Sequence, residues 1–471
     1  MTKEIEQVLR KMAATAIGIN GEFENSYVHK VLGLDNLITA YENIAYNLRR
    51  NRRKRFKRKN RVCPDDTVDV KALDMRLIED GVKIAREILA GVYKPKTAHR
   101  VLIPKEDGGT RELEIFSAVD RFIQQAMLYV LNDKYECTFS ANSHGFIKKR
   151  GVLSAVLQGK MFVNEGYGYA IHMDVFKCFD TINHNKLMEI LLSDIEDGRF
   201  LILIRRFIKN DVFFEKKIYK VDKGVPQGSP ISPVCANIYL SRLDNFLDER
   251  GYKYIRYADD ITIFIKTKKM SRDIIEEIDA FLKNSLQIKL NQSKTYVCSV
   301  EKVDVLGFAY QKDIDKRTYD LCISDLKVKS LMKKINESFS DTSIEWKKAK
   351  ELFNTYCHNF VYSICMGQVE NKYSVIDNHL LLIINNFFWK QWENMGCKEY
   401  KAMMLGLDNK ERKMIGNTNV VYWGKEHYDI VKSYLNKDFL ENEGVFLFDT
   451  THKEAIKKRK IKASLNESFL L

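Results

Sequence analysis

The chain has 471 residues, 45% hydrophobic and 30% charged, which excludes a disordered or fibrous protein and leaves room for several subdomains around a sizeable core. No stretch approaches the roughly 18 apolar residues of a membrane span, no signal-like leader opens the chain, and the nine cysteines lack any Cys-x-x-Cys pair with matching His, so a cytoplasmic protein with free thiols and no zinc site is expected. The net charge of +14 sits mainly in two runs, which points to a polyanionic partner and away from a uniformly basic surface.

In chain order, apolar residues near helical spacing predict helices over Glu4 to Ala14 and Leu34 to Leu48. The first basic run follows, from Arg49 to Arg61, and carries Arg52, Arg53, Lys54, Arg55, Lys57 and Arg58 without one acidic residue. Such a block would neutralise phosphates, or else serve only as a solvated face. A helix from about Lys71 to Leu89 ends near Gly91, ahead of Pro95. Ala98 to Phe116 alternates around Glu106-Asp107-Gly108-Gly109, a hairpin pattern. An amphipathic helix over Arg121 to Asp133 comes next, then Ser143-His144-Gly145-Phe146-Ile147-Lys148-Lys149-Arg150-Gly151.

The chemistry is concentrated in the following hundred residues. An apolar strand ends in Asp174, ahead of a helix from Asn185 to Leu192. Phe200 to Val221 is basic at Arg205, Arg206 and Lys209. Lys223 to Pro233 holds two glycines and three prolines, a stiff backbone with little Cβ bulk that suits close approach to a ligand, and Val234 to Leu247 reads as a helix. Then Tyr254 to Phe264 reads as a hairpin with Ala258-Asp259-Asp260 at its tip. Alone, an Asp-Asp turn is usually a solvated tip. With Asp174 it completes a set of three carboxylates from separate strands, the donors that hard divalent ions prefer and that two-metal transfer uses at ion spacings of about 3.5–4 Å.

The ordered blocks carry a family resemblance. The Asp174 segment, Lys223 to Pro233, the Asp259-Asp260 hairpin, Lys289 to Thr295 and Val305-Leu306-Gly307-Phe308 resemble a bacterial reverse transcriptase of the group II intron-like lineage. Ile103 to Arg111 and Asp120 to Ala126 are similar to the same family's fingers. The resemblance runs from roughly Lys94 to Phe308 and continues more faintly to Trp423. It implies an α+β right-hand polymerase: an N-terminal helical and basic RNA-binding extension (1–93), fingers and palm with antiparallel sheet (94–312), a helical maturase-like thumb (313–440) and a basic tail (441–471).

The resemblance also implies roles. Asp174, Asp259 and Asp260 would hold two Mg²⁺ ions, with Mn²⁺ as substitute, and Lys294 would protonate the leaving pyrophosphate. Lys105 and Arg111 would contact the incoming triphosphate, while Gln227 and Gly228 would touch the nascent pair. Phe179, five residues past Asp174, stands at the steric-gate position, where its ring would reject a 2′-hydroxyl; as a bare residue it also fits a core aromatic at a strand end. The family usually has arginine at Ile147, so a template contact would pass to Lys148, Lys149 or Arg150. A Gly-Val-Asp-Gly-like segment usual in intron proteins is replaced here by the basic run and Val62 to Val70. Helices over Ile344 to Cys365 and Val375 to Trp392 would form the thumb, with Lys390 facing phosphate and most aromatics packing the helices. No zinc or His-Asn-His-like nuclease pattern is seen after Trp423, and Lys457 to Lys462 forms the second basic run.

The expected function is RNA-directed DNA synthesis from dNTPs on an associated structured RNA, giving a cDNA and an RNA–DNA duplex. Two roles stand open: a domesticated antiphage-defence enzyme working with a non-coding RNA, or an intron-encoded reverse transcriptase/maturase assisting splicing and retromobility. A partner membrane is not expected, and an oligomer is compatible with the sequence.

Overall fold

Helix starts are written locally in this chain. Thr2, Asp69, Ser117, Asn183, Asp197 and Ser324 each turn a side-chain oxygen onto a backbone N–H of the first helical turn, satisfying donors that a helix N-terminus leaves unpaired. The computed structural model describes residues 1–17, 26–55, 69–104, 109–313, 317–357, 371–395, 408–411, 413 and 434–454. The chain divides into two compact units. One holds Met1–Ala155, Ile171–Ile263 and Lys268–Tyr296, and the other holds Val156–Ala170, Phe264–Thr267 and Val297–Leu471.

The first unit opens with helices α1 (Lys3–Ala14), α2 (Tyr27–Val31), α3 (Leu34–Arg55) and α4 (Val70–Leu89). Helix α3 continues beyond the expected Leu48 into the basic run, since arginine and lysine are good helix formers. Strands β1 (Ala98–Pro104) and β2 (Thr110–Ile115) pair antiparallel, from His99 opposite Ile115 to Pro104 opposite Thr110. The expected turn residues 106–108 between them lie outside the described residues. After α5 (Ala118–Tyr135) come α6 (Val152–Asn164), most of which falls in the second unit, then β3 (Tyr169–Asp174), α7 (Cys178–Thr181), α8 (His184–Leu192) and α9 (Gly198–Ile208). Strands β4 (Val212–Phe214) and β5 (Lys217–Tyr219) complete a four-stranded sheet in the order β2-β1-β4-β5.

Helix α10 (Ser232–Glu249) begins with a proline in its first turn, where the missing N–H costs nothing. It is followed by β6 (Lys253–Tyr257), β7 (Asp260–Ile265), α11 (Ser271–Ser285) and β8 (Tyr296–Ser299). The second four-stranded sheet has the order β6-β7-β3-β8, so the strands carrying Asp174 and Asp260 are neighbours although 86 residues separate them in sequence. Cys178 and Cys235 are buried, as their small apolar character requires.

The segment before α6 braces β6. Arg256 donates its N–H to Asn142 O and accepts from His144 N, both at 2.8 Å. Gly145 lies so close that a Cβ there would come within 2.4 Å of Ala258 N.

The second unit carries the antiparallel pair β9 (Phe308–Asp313) and β10 (Thr318–Ile323), then α12 (Asp325–Ser338), α13 (Trp346–Cys357), α14 (Asn371–Met395) and α15 (Lys437–Asn442). Tyr373, Ile376, Leu380, Ile384 and Phe387 recur at helical spacing along α14 and bury one face against Phe339, Phe353 and Leu440. Phe387 and Phe388 therefore pack the helices, as expected of those aromatics. Helix α13 starts two residues after the expected Ile344, and residues 358–365 lie outside the described ones. Among the described residues no helix is long and apolar enough to cross a membrane.

Two outcomes follow from this packing. Gly145→Ala should push Ala258 out of place and destabilise the protein by about 2 kcal/mol, within the range of overpacked sites; an unchanged denaturation midpoint would show that the brace yields freely. Asp377, on α14, accepts the backbone N–H groups of Phe448 and Asp449 at 2.8 and 2.9 Å, yet burial pushes its carboxyl up to about 6. The unfolded chain releases that proton at lower pH, so the buried charge weakens the fold as pH rises through the folded value. Compared with Asp377→Asn, the wild type should gain about 2 kcal/mol between about pH 7 and pH 4, measured by denaturant unfolding; a flat difference would mean an ordinary carboxyl.

Candidate active site

Strands β6 and β7 meet at a two-residue turn, Ala258-Asp259. Ala258 is held at φ +57°, a left-handed conformation that a residue with a Cβ adopts only when its surroundings impose it. The turn is tied to β3: Val175 N donates to Asp259 O at 3.3 Å. On its other side Asp174 O accepts Asn291 N at 2.7 Å, and Asn291 Nδ2 reaches Asp174 Oδ2 at 3.1 Å. Lys294 Nζ lies 3.2 Å from the same Oδ2 while the lysine remains 63% exposed.

Burial raises the pKa of Asp259, and the negative charge of Asp174 raises it further, against the pull of Lys294 and Arg111. Those influences place Asp174, Asp259, Lys294 and Arg111 in one electrostatic neighbourhood. Asp260 also meets a histidine. Its Oδ1 lies 3.5 Å from His172 Nδ1, and the His172 ring packs 4.9 Å from that of Tyr296.

The three carboxylates therefore do not form a ready-made cage. Among the described residues, no three His, Cys, Asp or Glu side chains gather closely enough to hold a metal ion. The oxygens of Asp174 and Asp259 nonetheless fit a hard divalent ion. Such ions take one or two carboxylates and complete their shell with water and substrate phosphates. The raised pKa of Asp259 and the lysine against Asp174 are signs of a negative pocket short of positive charge.

Beside this pocket, the Gly-Pro segment is bonded to the residues after β3. Gly224 N donates to Ile182 O and Val225 N to Phe179 O. Gly224 has φ +87°, and a Cβ there would come within 2.8 Å of Phe179 O, so only glycine fits. Gly228 has φ +111° and lies equally close to Glu114 O. Gln227 Nε2 donates to Asp180 Oδ1 at 2.9 Å, and its carbonyl accepts from Glu114 N at 2.7 Å. Phe179, Asp180, Gln227, Lys223, Glu114 and Arg100 line a cavity of about 340 Å³. Arg100 is clamped there by Glu112 and Glu114 at 2.8 and 3.0 Å.

The remaining expected residues are scattered. Arg111, Lys148, Lys149 and Lys390 are exposed. The Arg150 guanidinium is turned inward onto the carbonyls of Phe139, Ser140 and Ser143. Arg52, Arg53, Lys54 and Arg55 form the end of α3, whereas Lys57, Arg58 and Lys105 lie outside the described residues. Sequence reasoning missed His172, Asp180 and Asn291. His172 stands two residues before Asp174 and so shares its strand face, a signal that period-two spacing carries.

A family model described as reverse transcriptase (RNA-dependent DNA polymerase) matches residues 103–310. Protein YkfC of Escherichia coli (strain K12) is 31% identical over 323 residues, covering 60% of this chain and 84% of that protein. The putative COX1/OXI3 intron 2 protein of Saccharomyces cerevisiae is 27% identical over 285 residues, 48% of this chain and 33% of that protein. Group II intron-encoded protein LtrA of Lactococcus lactis subsp. cremoris is 26% identical over 292 residues, 48% of this chain and 49% of that protein. The chain thus spans half or less of these two intron relatives. Its helices and largely antiparallel sheet pairings, with β1 and β4 the parallel exception, are the α+β architecture expected of the polymerase fold. With 84% of YkfC matched and the reverse transcriptase model aligned across both sheets, this chain belongs to the reverse transcriptase family, as an RNA-directed DNA polymerase of the bacterial group II intron-like type.

Proposed function

We propose that the chain copies an associated structured RNA into cDNA by metal-assisted nucleotidyl transfer centred on Asp174 and Asp259, with Asp260 supporting the same site. The observation that carries this reading is that Asp174, at the end of β3, and Asp259, in the β6–β7 turn, share one electrostatic neighbourhood, with the exposed Lys294 against Asp174. Divalent ions, Mg²⁺ or Mn²⁺, would supply positive charge to the attacking 3′-hydroxyl and to the departing pyrophosphate.

The chain's own residues provide the rest. Asp174 is oriented by Asn291, whose side-chain amide donates to its Oδ2. Lys294 pairs with Asp174 and is largely exposed; its ammonium would donate a proton to the leaving phosphate oxygen. Arg111, near enough to influence Asp259, meets the charge of the triphosphate, with Lys105 as its expected partner. Phe179 lines the cavity from the side of the sugar, with Gln227 held by Asp180 and Gly228 leaving its backbone open to the new pair. Phosphates of the RNA and the duplex fall to Arg52 to Arg58, Lys148, Lys149 and Lys390. Arg150, committed to backbone carbonyls, contributes by shaping that loop. Residues 1–93 act as the RNA-binding extension, 94–312 as fingers and palm, 313–440 as thumb and 441–471 as basic tail.

For biological role, Ile147 and the basic run in place of the intron proteins' glycine-rich segment support a domesticated, cytoplasmic, defence-associated enzyme with its own non-coding RNA. A second reading, an intron-encoded reverse transcriptase and maturase, is favoured by relatives described as intron proteins.

Asp259→Ala should abolish dNTP incorporation while RNA binding stays unchanged; retained synthesis would refute the metal assignment. Sequencing the nucleic acid that copurifies with wild type and with this variant separates the roles. A short structured RNA with cDNA lost in the variant supports the domesticated enzyme, and a spliced intron or lariat supports the maturase. Phe179→Ala should admit ribonucleotides, raising the ratio of rNTP to dNTP incorporation by about tenfold or more, equivalent to at least about 1.4 kcal/mol; unchanged sugar selectivity would remove the gate role.

A further inference from the structure

The turn that presents Asp259 is held from beneath by a buried ionic clamp. Arg256, among the largest fully buried side chains of the described residues, lies on β6 two residues before Ala258. Its Nε and Nη2 donate to the two oxygens of Asp244 at 2.7 and 2.5 Å, and both partners are completely buried. Its Nη1 donates to Asn237 Oδ1 at 3.1 Å and to Ala258 O at 2.9 Å. Asn237 is fixed in turn, since its Nδ2 donates to Gly145 O at 2.8 Å. Asp244 and Asn237 both stand on α10, one of the more thoroughly buried helices of the chain.

A guanidinium is planar, and a bidentate grip on a carboxylate fixes that plane. Once Asp244 holds two edges, the direction of Nη1 is no longer adjustable. That nitrogen points at the carbonyl of the residue in the left-handed conformation, immediately before Asp259. A buried ion pair serving only stability could be replaced by apolar side chains of similar volume with little loss. The bond to Ala258 O is what an apolar pair could not make. Left-handed non-glycine residues persist where their surroundings over-determine them.

We propose that Arg256 is a positioning residue for the polymerase reaction: the Asp244–Arg256–Asn237 clamp holds the Ala258 carbonyl and thereby sets the direction in which Asp259 presents its carboxylate to a divalent ion. The inference rests on the reading of Asp259 as a metal ligand. Arg256 touches neither substrate nor ion, and acts only through the turn.

The test compares two variants with wild type and with Asp259→Ala. Arg256→Lys keeps the charge beside Asp244 but replaces the rigid fork with a single point. Arg256→Met with Asp244→Leu removes the pair and leaves no buried charge unpaired. Folding is followed by circular dichroism and thermal unfolding. Mn²⁺ affinity is followed by the electron paramagnetic resonance signal of free Mn²⁺, and synthesis by kcat and KM for dTTP on an oligo(dT)-primed poly(rA) template. Folded variants should bind Mn²⁺ more weakly and turn over more slowly by about tenfold or more, the usual effect of losing an outer-shell support, while KM for dTTP changes less than twofold. Folded variants with wild-type Mn²⁺ affinity and kcat would overturn the proposal, as would failure of both to fold, which would make the clamp purely architectural. Asp259→Ala separates the two levels. Undiminished Mn²⁺ binding there sinks the metal reading itself, whereas loss there with retention in the Arg256 variants sinks only the clamp.

Discussion

Two carboxylates brought together in a half-buried pocket repel each other, and much of the surrounding structure opposes that repulsion. The cost is visible in Asp259, whose carboxyl is pushed up first by burial and then by Asp174. Backbone bonds hold the pair despite it: Val175 to Asp259 on one side, Asn291 to Asp174 on the other. Lys294 supplies the nearest positive charge and stays mostly in solvent. A site kept slightly short of cation is suited to a divalent ion arriving with a triphosphate, since the compensation is then completed by the substrate complex.

The second constraint is contact without bulk. The Gly-Pro segment approaches the chain after β3 at Gly224, and β2 at Gly228, so closely that neither glycine admits a Cβ. Their backbone bonds, with the Gln227–Asp180 pair, hold Phe179 against its cavity. Gly145 meets the Ala258 backbone in the same way. Glycine is used here at the few places where one backbone must touch another, and each lies beside a residue assigned to substrate, metal or turn. Local mobility elsewhere would be tolerated; at these points a displacement of an ångström would move the chemistry.

The two units achieve stability by separate means. In the first, capped helices and buried polar ties such as Tyr93–Asp120 and Arg256–Asp244 fix positions. In the second, one face of α14 packs an aromatic and aliphatic cluster, and Asp377, one of its buried polar residues, accepts the backbone N–H groups of Phe448 and Asp449. Much of the basic character sits on exposed side chains such as Arg111, Lys148, Lys149 and Lys390.

Local and ordered information determined what the sequence could settle alone. The order of the motifs identified the family, the alternation of Ala98 to Phe116 and Tyr254 to Phe264 predicted both hairpins, and helical spacing located most helices. Each of those signals lies within a window of a few residues. Tertiary structure alone decided which side chains meet. Asp260 faces His172 from across neighbouring strands, Arg150 turns inward to carbonyls although it looks like a phosphate contact, and Arg256 reaches Asp244 on a helix that precedes it. No spacing rule encodes these pairings, because charge and residue type do not fix the direction of a side chain; the packing of strands and helices brought together from distant parts of the chain does.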